Sequence, residues 1–104
     1  MVESTNSLLK AEAESGLAEE GAVVCTDYQT LGRGRLDRRW ESPPGKSLLF
    51  SALLYPEIKP EKITLIGLAT SISVYMALGQ YLSSNCPEKP DLCNALCLKW
   101  PNDI

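Results

Sequence analysis

The sequence has no histidine among its 104 residues, and its four cysteines (Cys25, Cys86, Cys93 and Cys97) follow no regular spacing. That combination gives neither a zinc pattern nor a disulfide framework. No structural metal is expected, and the thiols read as reduced and partly buried, which points to the cytoplasm. A secretory leader is not expected either, because MVESTNSLLKAEAE carries neither a basic n-region nor an apolar core. Positive charge is not in excess. A net charge of −3 and a pI near 4.9 argue against a generic nucleic-acid or anionic-membrane binder. No internal repeat, low-complexity tract or linker divides the chain.

The charge that is present sits unevenly. Five of the ten basic residues (Arg33, Arg35, Arg38, Arg39 and Lys46) fall within fourteen positions, and five of the thirteen acids precede residue 21. A basic island in an acidic protein suits a local anionic ligand better than a polyanionic partner. Residues 63–82 (ITLIGLATSISVYMALGQYL) carry no charge over twenty positions, the length of a membrane span. Thr64, Thr70, Ser71, Ser73, Gln80 and two glycines dilute its apolarity. It therefore reads as a soluble helix over 61–84 packed on a sheet, with no membrane partner.

Ser4-Thr5-Asn6 offers capping groups ahead of Leu8, Leu9, Ala11, Ala13 and Leu17, which predicts a helix of about three turns broken near Gly16 and Gly21. Ala22–Tyr28 is β-branched at its centre and predicts a strand. Gln29–Lys46 is too polar and too broken for a regular element. Ser47–Tyr55 (SLLFSALLY) is apolar on both alternating faces, which predicts a strand covered on both sides. Pro56 and Pro60 end it, the latter near the first turn of the long helix. Cys86–Asn94 reads as a loop and Ala95–Trp100 as a last strand, stopped by Pro101. A chain this short has room for one domain. The order makes it a mixed α and β layer domain ending at a strand terminus, where ligand sites are commonly built.

The segment Gln29–Gly45 carries the chemistry. A dinucleotide fingerprint would need glycine at position 37, which is Asp37; a P-loop ending in Gly45-Lys46-Ser47 would need glycine at position 40, which is Trp40. A kinase glycine loop fails for the same missing glycine. Gly32 and Gly34 nevertheless allow close backbone approach to a ligand. Arg33, Arg35 and Arg38 supply forked donors for carboxylate or phosphate, and Trp40 a flat wall. By composition alone the loop also reads as a solvated surface with its charges facing water.

Residues 32–45, GRGRLDRRWESPPG, followed by SLLFS and, after the long helix, by LKWPNDI, closely resemble the biotin protein ligase family. Its motifs have the form GRGRxxRxWxSPxG and, at the end of a later strand, KWPND. Ser4-Thr5-Asn6 matches the family's STN element and Tyr28-Gln29 the residues leading into the loop; on local grounds alone the former is also a plain helix cap. The match runs along essentially the entire chain in order and spacing. It implies an α+β fold, a mixed β-sheet with packed helices forming a class II aminoacyl-tRNA synthetase-like biotin ligase catalytic core, truncated in this chain.

The resemblance also implies a two-step ligation: ATP-dependent activation of biotin to biotinyl-5'-adenylate, then transfer to a lysine of a biotin carboxyl carrier protein. It implies ATP and Mg²⁺ alongside the substrate biotin. Ser4, Thr5, Asn6 and Gln29 match positions at biotin's ureido end. Arg33, Gly34 and Arg35 match the loop over biotin and the adenylate phosphate, and Trp40 lines the pocket. Arg38 faces the ATP phosphates, so Arg35 and Arg38 are the expected catalytic arginines. Lys99, Asn102 and Asp103 match the ATP and Mg²⁺ end.

The family's main catalytic lysine is expected beyond Ile104, as are the remaining sheet and a small C-terminal β domain. Residues 1–104 are thus read as part of a catalytic domain, inactive alone. No helix-turn-helix pattern supports a nucleic-acid partner. A truncated sheet exposes apolar edges, for which a homodimer is one remedy. Two other readings stay open: a lipoate or octanoate ligase of the same fold, whose loops lack GRGRxxRxW, and an incomplete chain that only folds or oligomerises.

Overall fold

The computed structural model describes residues 1–34, 36 and 38–99. The chain falls into two units, Met1–Pro56 and Glu57–Ile104. The first holds helix α1 (Thr5–Glu14) and strands β1 (Val23–Thr26) and β2 (Leu49–Ala52). The second holds a 3₁₀ turn (Pro60–Lys62), helix α2 (Thr64–Asn85) and a short helix α3 (Pro90–Ala95). The fold is α+β, and its sheet among the described residues is small and antiparallel, running from Val23 opposite Ala52 to Thr26 opposite Leu49.

Helix α1 starts and stops where local chemistry dictates. Ser4 is extended (φ −157°, ψ 131°) and its hydroxyl accepts from the Ser7 N–H at 3.4 Å, satisfying one of the free donors of the first turn. At the other end Gly16 takes φ 74°. The Leu17 N–H then reaches the Glu12 carbonyl at 2.8 Å and the Gly16 N–H the Ala13 carbonyl at 3.1 Å, a Schellman closure. Leu17, expected on the helix, therefore lies beyond it and is 81% exposed. The helix packs on both strands and buries Leu9; among the described residues Leu49 on β2 is the other buried apolar side chain. Burying a leucine contributes about 1.5–3 kcal/mol.

The strands are shorter than their apolar patterns. Beyond the four paired rungs, the Leu53 N–H donates to the Ala22 carbonyl and the Gly21 N–H to the Leu53 carbonyl, each at 2.9 Å. β2 has one covered face rather than the two expected: Leu49 and Ser51 are turned inward, while Leu48 is 80% exposed and Phe50 and Leu54 are exposed as well. The N-terminal residues add a parallel contact. Val2 bridges Gln29, the Thr30 N–H donates to the Val2 carbonyl at 3.0 Å and the Leu31 N–H to the Glu3 carbonyl at 2.8 Å. This lays the start of α1 directly beside Gln29.

In the second unit Pro60 opens the 3₁₀ turn, and α2 runs 22 residues with contacts to that turn and to α3. Three serines of α2 bond to their own helix. Ser71 donates to the Gly67 carbonyl, Ser73 to Ala69 and Ser83 to Gly79, at 2.8–3.0 Å. By length and composition this helix could cross a membrane. The reading of 61–84 as a soluble helix, made from its polar interruptions, is tested by cell fractionation, with recovery without detergent as its expected outcome. Recovery only from membranes, with detergent needed for extraction, would establish α2 as a span.

Two further expectations are corrected. The stretch 86–94 is not only loop, because Pro90 at a first helical position and Asp91 in the first turn start α3, two favourable helix-opening residues. Cys25 and Cys97 are exposed rather than partly buried; with the half-buried Cys86 they are free thiols. The final predicted strand over Ala95–Trp100 is not found among the described residues: Ala95 belongs to α3, 96–98 have no regular structure, Lys99 makes a single bridge, and Trp100 and Pro101 lie outside the described residues.

Candidate functional site

Loop Gln29–Lys46 is anchored at its base and paired along its arms. The Gly45 N–H donates to the Asp27 carbonyl at 3.1 Å, closing the base. Above it the Trp40 N–H donates to the Gly32 carbonyl at 2.9 Å, Arg33 bridges Arg39, and the Gly34 N–H donates to the Arg38 carbonyl at 2.7 Å. The glycines permit this approach. A Cβ on Gly32 would sit 2.5 Å from the Trp40 carbonyl oxygen, and one on Gly34 would sit 3.1 Å from that of Arg38. The arms are therefore a short antiparallel hairpin, a regular pairing where none was expected from composition.

Beneath this hairpin, between the start of α1 and β2, lies a cleft of about 320 Å³, within the usual range of small-molecule sites. Ser4, Thr5, Asn6, Gln29, Arg33 and Trp40 all line it. So do Leu48, Leu49, Phe50 and Ser51, which belong to the SLLFS stretch read as plain strand. The one signal for Ser51 was a hydroxyl in an otherwise apolar run.

The floor is polar and bonded. Thr5, 4% exposed, donates its backbone N–H to Gln29 Oε1 at 2.7 Å and its hydroxyl to the same oxygen at 3.0 Å. Ser51 Oγ lies 2.9 Å from Thr5 Oγ1. Among the described residues no buried side-chain nitrogen or oxygen lacks a partner. Leu48, Leu49 and Phe50 give the lining an apolar part; Arg33 and Trp40, the latter 55% exposed, add a cation and a flat ring. Such a cleft suits a compact ring with an amide-like edge at the floor and an anionic group toward Arg33.

The other predicted site residues fall differently. Gly34 is on the hairpin, but its N–H is already given to Arg38. The Arg38 side chain is exposed and is not part of this cleft's lining. Arg39, which no motif singled out, is tied down by the Thr30 carbonyl at 3.0 Å and the Glu41 carboxylate at 3.2 Å. Among the described residues Arg33 and Arg38 have no carboxylate partner. Lys99 is an exposed residue of the second unit. Arg35, Asn102 and Asp103 lie outside the described residues.

The chain is similar in sequence to known proteins. The sequence model of the biotin/lipoate A/B protein ligase family matches residues 1–104. The chain is similar to the bifunctional ligase/repressor BirA of Bacillus subtilis, 31% identical over 93 residues that cover 89% of this chain and 26% of that protein. It is similar to the biotin–[acetyl-CoA-carboxylase] ligase of Mycobacterium tuberculosis, 28% identical over 102 residues, 97% of this chain and 36% of that one. Biotin–protein ligase 2 of Arabidopsis thaliana is 36% identical over 84 residues, 81% of this chain and 24% of the relative. The chain thus spans between a quarter and a third or so of the length of these relatives.

Proposed function

The chain belongs to the biotin/lipoate A/B protein ligase family, and on that premise we propose that its protein activates biotin with ATP and passes the biotinyl group to a lysine of a biotin carboxyl carrier protein. The observation that carries this reading is the bonded polar floor of Thr5, Gln29 and Ser51 in a partly apolar lining. Biotin's fused ring brings a urea edge with a carbonyl acceptor and two N–H donors to such a floor. A dithiolane ring brings neither and would leave the Gln29 NH₂ and the remaining Ser51 lone pair without a ligand partner, which favours biotin over lipoate.

In the first step a biotin carboxylate oxygen attacks the α-phosphorus of ATP, the bond to the pyrophosphate oxygen breaks, and biotinyl-5'-adenylate forms. Two anions must meet, so fixed cations offset their repulsion and the charge developing on phosphorus. Arg33 in the cleft lining is one such cation, and Arg35 and Arg38 are assigned the same task at the carboxylate and phosphates. In the second step the neutral amine of the carrier lysine attacks the acyl carbon, the C–O bond to AMP breaks, and an amide results. The floor residues serve both steps by positioning the ring. Mg²⁺ would belong with Asn102 and Asp103; among the described residues no three His, Cys, Asp or Glu side chains gather to hold a metal ion.

A class II aminoacyl-tRNA synthetase-like core, of which residues 1–104 form part, is the architecture assigned here. The reducing cytoplasm suits the free thiols at Cys25, Cys86 and Cys97. A net charge of −3 gives no support to a nucleic-acid partner, and a homodimer is the assembly that would cover exposed strand edges. Calorimetric titration of the intact protein tests the ligand assignment. Saturable heat with biotin and none with lipoate is expected; the reverse would move the cleft to the lipoate branch.

A further inference from the structure

We propose that Ser51 is a positioning residue of this cleft, fixing through the Thr5 hydroxyl the direction of the hydrogen bonds that hold Gln29. The inference rests on the biotin reading for its ligand, but its starting point is geometry alone. A backbone N–H can only donate, so the Gln29 atom 2.7 Å from the Thr5 nitrogen is the carbonyl oxygen. That oxygen can only accept, so the Thr5 hydroxyl 3.0 Å away spends its single proton on it. Thr5 Oγ1 then has only lone pairs to offer Ser51, and their 2.9 Å contact is satisfied in one way, with Ser51 donating. The protons run from Ser51 to Thr5 to Gln29.

Two properties of the cleft follow. The Gln29 NH₂ is turned away from Thr5, toward Gly32, where a Cβ would approach Nε2 to 3.2 Å. Gln29 therefore keeps both of its donors for other partners while its acceptor is fully used. Ser51, half-buried on β2 and contributing to the same cleft, has no proton left and faces a ligand only as an acceptor. Polarised chains of this kind strengthen bond by bond in a low-dielectric setting. Removing the first donor loosens Thr5 and, through it, the amide that reads the ligand's polar edge.

The test separates the hydroxyl from its volume. Ser51→Thr and Ser51→Val differ only in a hydroxyl against a methyl, and both are β-branched residues suited to a strand. In calorimetry of the intact protein, Ser51→Val is expected to weaken biotin about five- to tenfold and Ser51→Thr less than about twofold. In a Thr5→Val background the Ser51→Val change should add almost nothing, the signature of a residue acting through its neighbour. Ser51→Ala gives the same comparison without added bulk. Hydrogen exchange of the Thr5 amide in the ligand-free protein gives an independent readout, faster in Ser51→Val and unchanged in Ser51→Thr. Equal biotin affinity in the Thr and Val variants, or additive losses with Thr5→Val, would overturn the proposal. Absence of biotin binding by the wild type would overturn the ligand assignment instead, and Thr5 exchange would then decide the role of Ser51.

Discussion

Arg35→Gly is expected to weaken binding of biotinyl-5'-adenylate by about one to two decades, and to weaken binding of biotin itself less. A guanidinium donates two parallel bonds in a fixed fork, suited to a carboxylate and a phosphate oxygen held side by side. Biotin alone presents only its carboxylate to such a fork, whereas the adenylate presents its acyl carbonyl and two non-bridging phosphate oxygens together, enough acceptors for both arms. The loss of one charge-assisted contact, roughly 1.5–3 kcal/mol, then falls mainly on the adenylate. Arg35 lies outside the described residues, and its assignment comes from its place in the motif, two positions after Arg33, which lines the cleft. Calorimetry of both ligands against wild type and variant checks it. Equal losses would mean that Arg35 does not touch the phosphate, and an unchanged adenylate affinity would return the loop to a solvated surface.

Gly32→Val should cost about 1–3 kcal/mol of stability and carry a comparable loss of biotin affinity, roughly five- to a hundredfold. The reason is steric and local. The first added carbon would lie 2.5 Å from the backbone oxygen of Trp40, and a carbonyl in a paired hairpin has no easy direction in which to yield. The rung between Gly32 and Trp40 would open, and with it the placement of Arg33 and Trp40, both of which line the cleft. Gly67→Ala is the contrasting change. Nothing lies within 4 Å of a Cβ there, so α2 should gain about 0.5–1 kcal/mol. Thermal melts and biotin titrations of both variants distinguish the cases. A Gly32→Val protein with wild-type affinity would mean that the hairpin does not set the cleft.

What could be read from the residues was whatever depends on near neighbours in sequence. The Ser4 cap, the Gly16 stop and the position of α2 all rest on bonds within a few residues, and all lay close to where their patterns placed them. The strands were less legible, because β-pairing ends where the partner ends: SLLFSALLY is apolar over nine residues, yet only Leu49–Ala52 pair with β1. Helix α3 was signalled by Pro90 and Asp91 but is six residues long, too short for apolar periodicity to mark it. At the site, recognisable motifs pointed to Ser4, Thr5, Asn6, Gln29, Arg33 and Trp40, which come together. Ser51 is distant from them in sequence, 46 residues from Thr5, and only the fold brings its hydroxyl to the floor. The pairing of Arg33 with Arg39 was likewise invisible, since two like charges give no reason to expect adjacency.

The central claim, that the polar floor belongs to a ligase that activates biotin, meets its most direct test in ATP–pyrophosphate exchange by the intact protein. Exchange requires a carboxylate to displace pyrophosphate from ATP and the adenylate to reverse that step. It therefore reports the first chemical event without any carrier protein. The account predicts label passing from pyrophosphate into ATP when biotin is present and not when lipoate replaces it. Exchange driven by lipoate and not by biotin would contradict it.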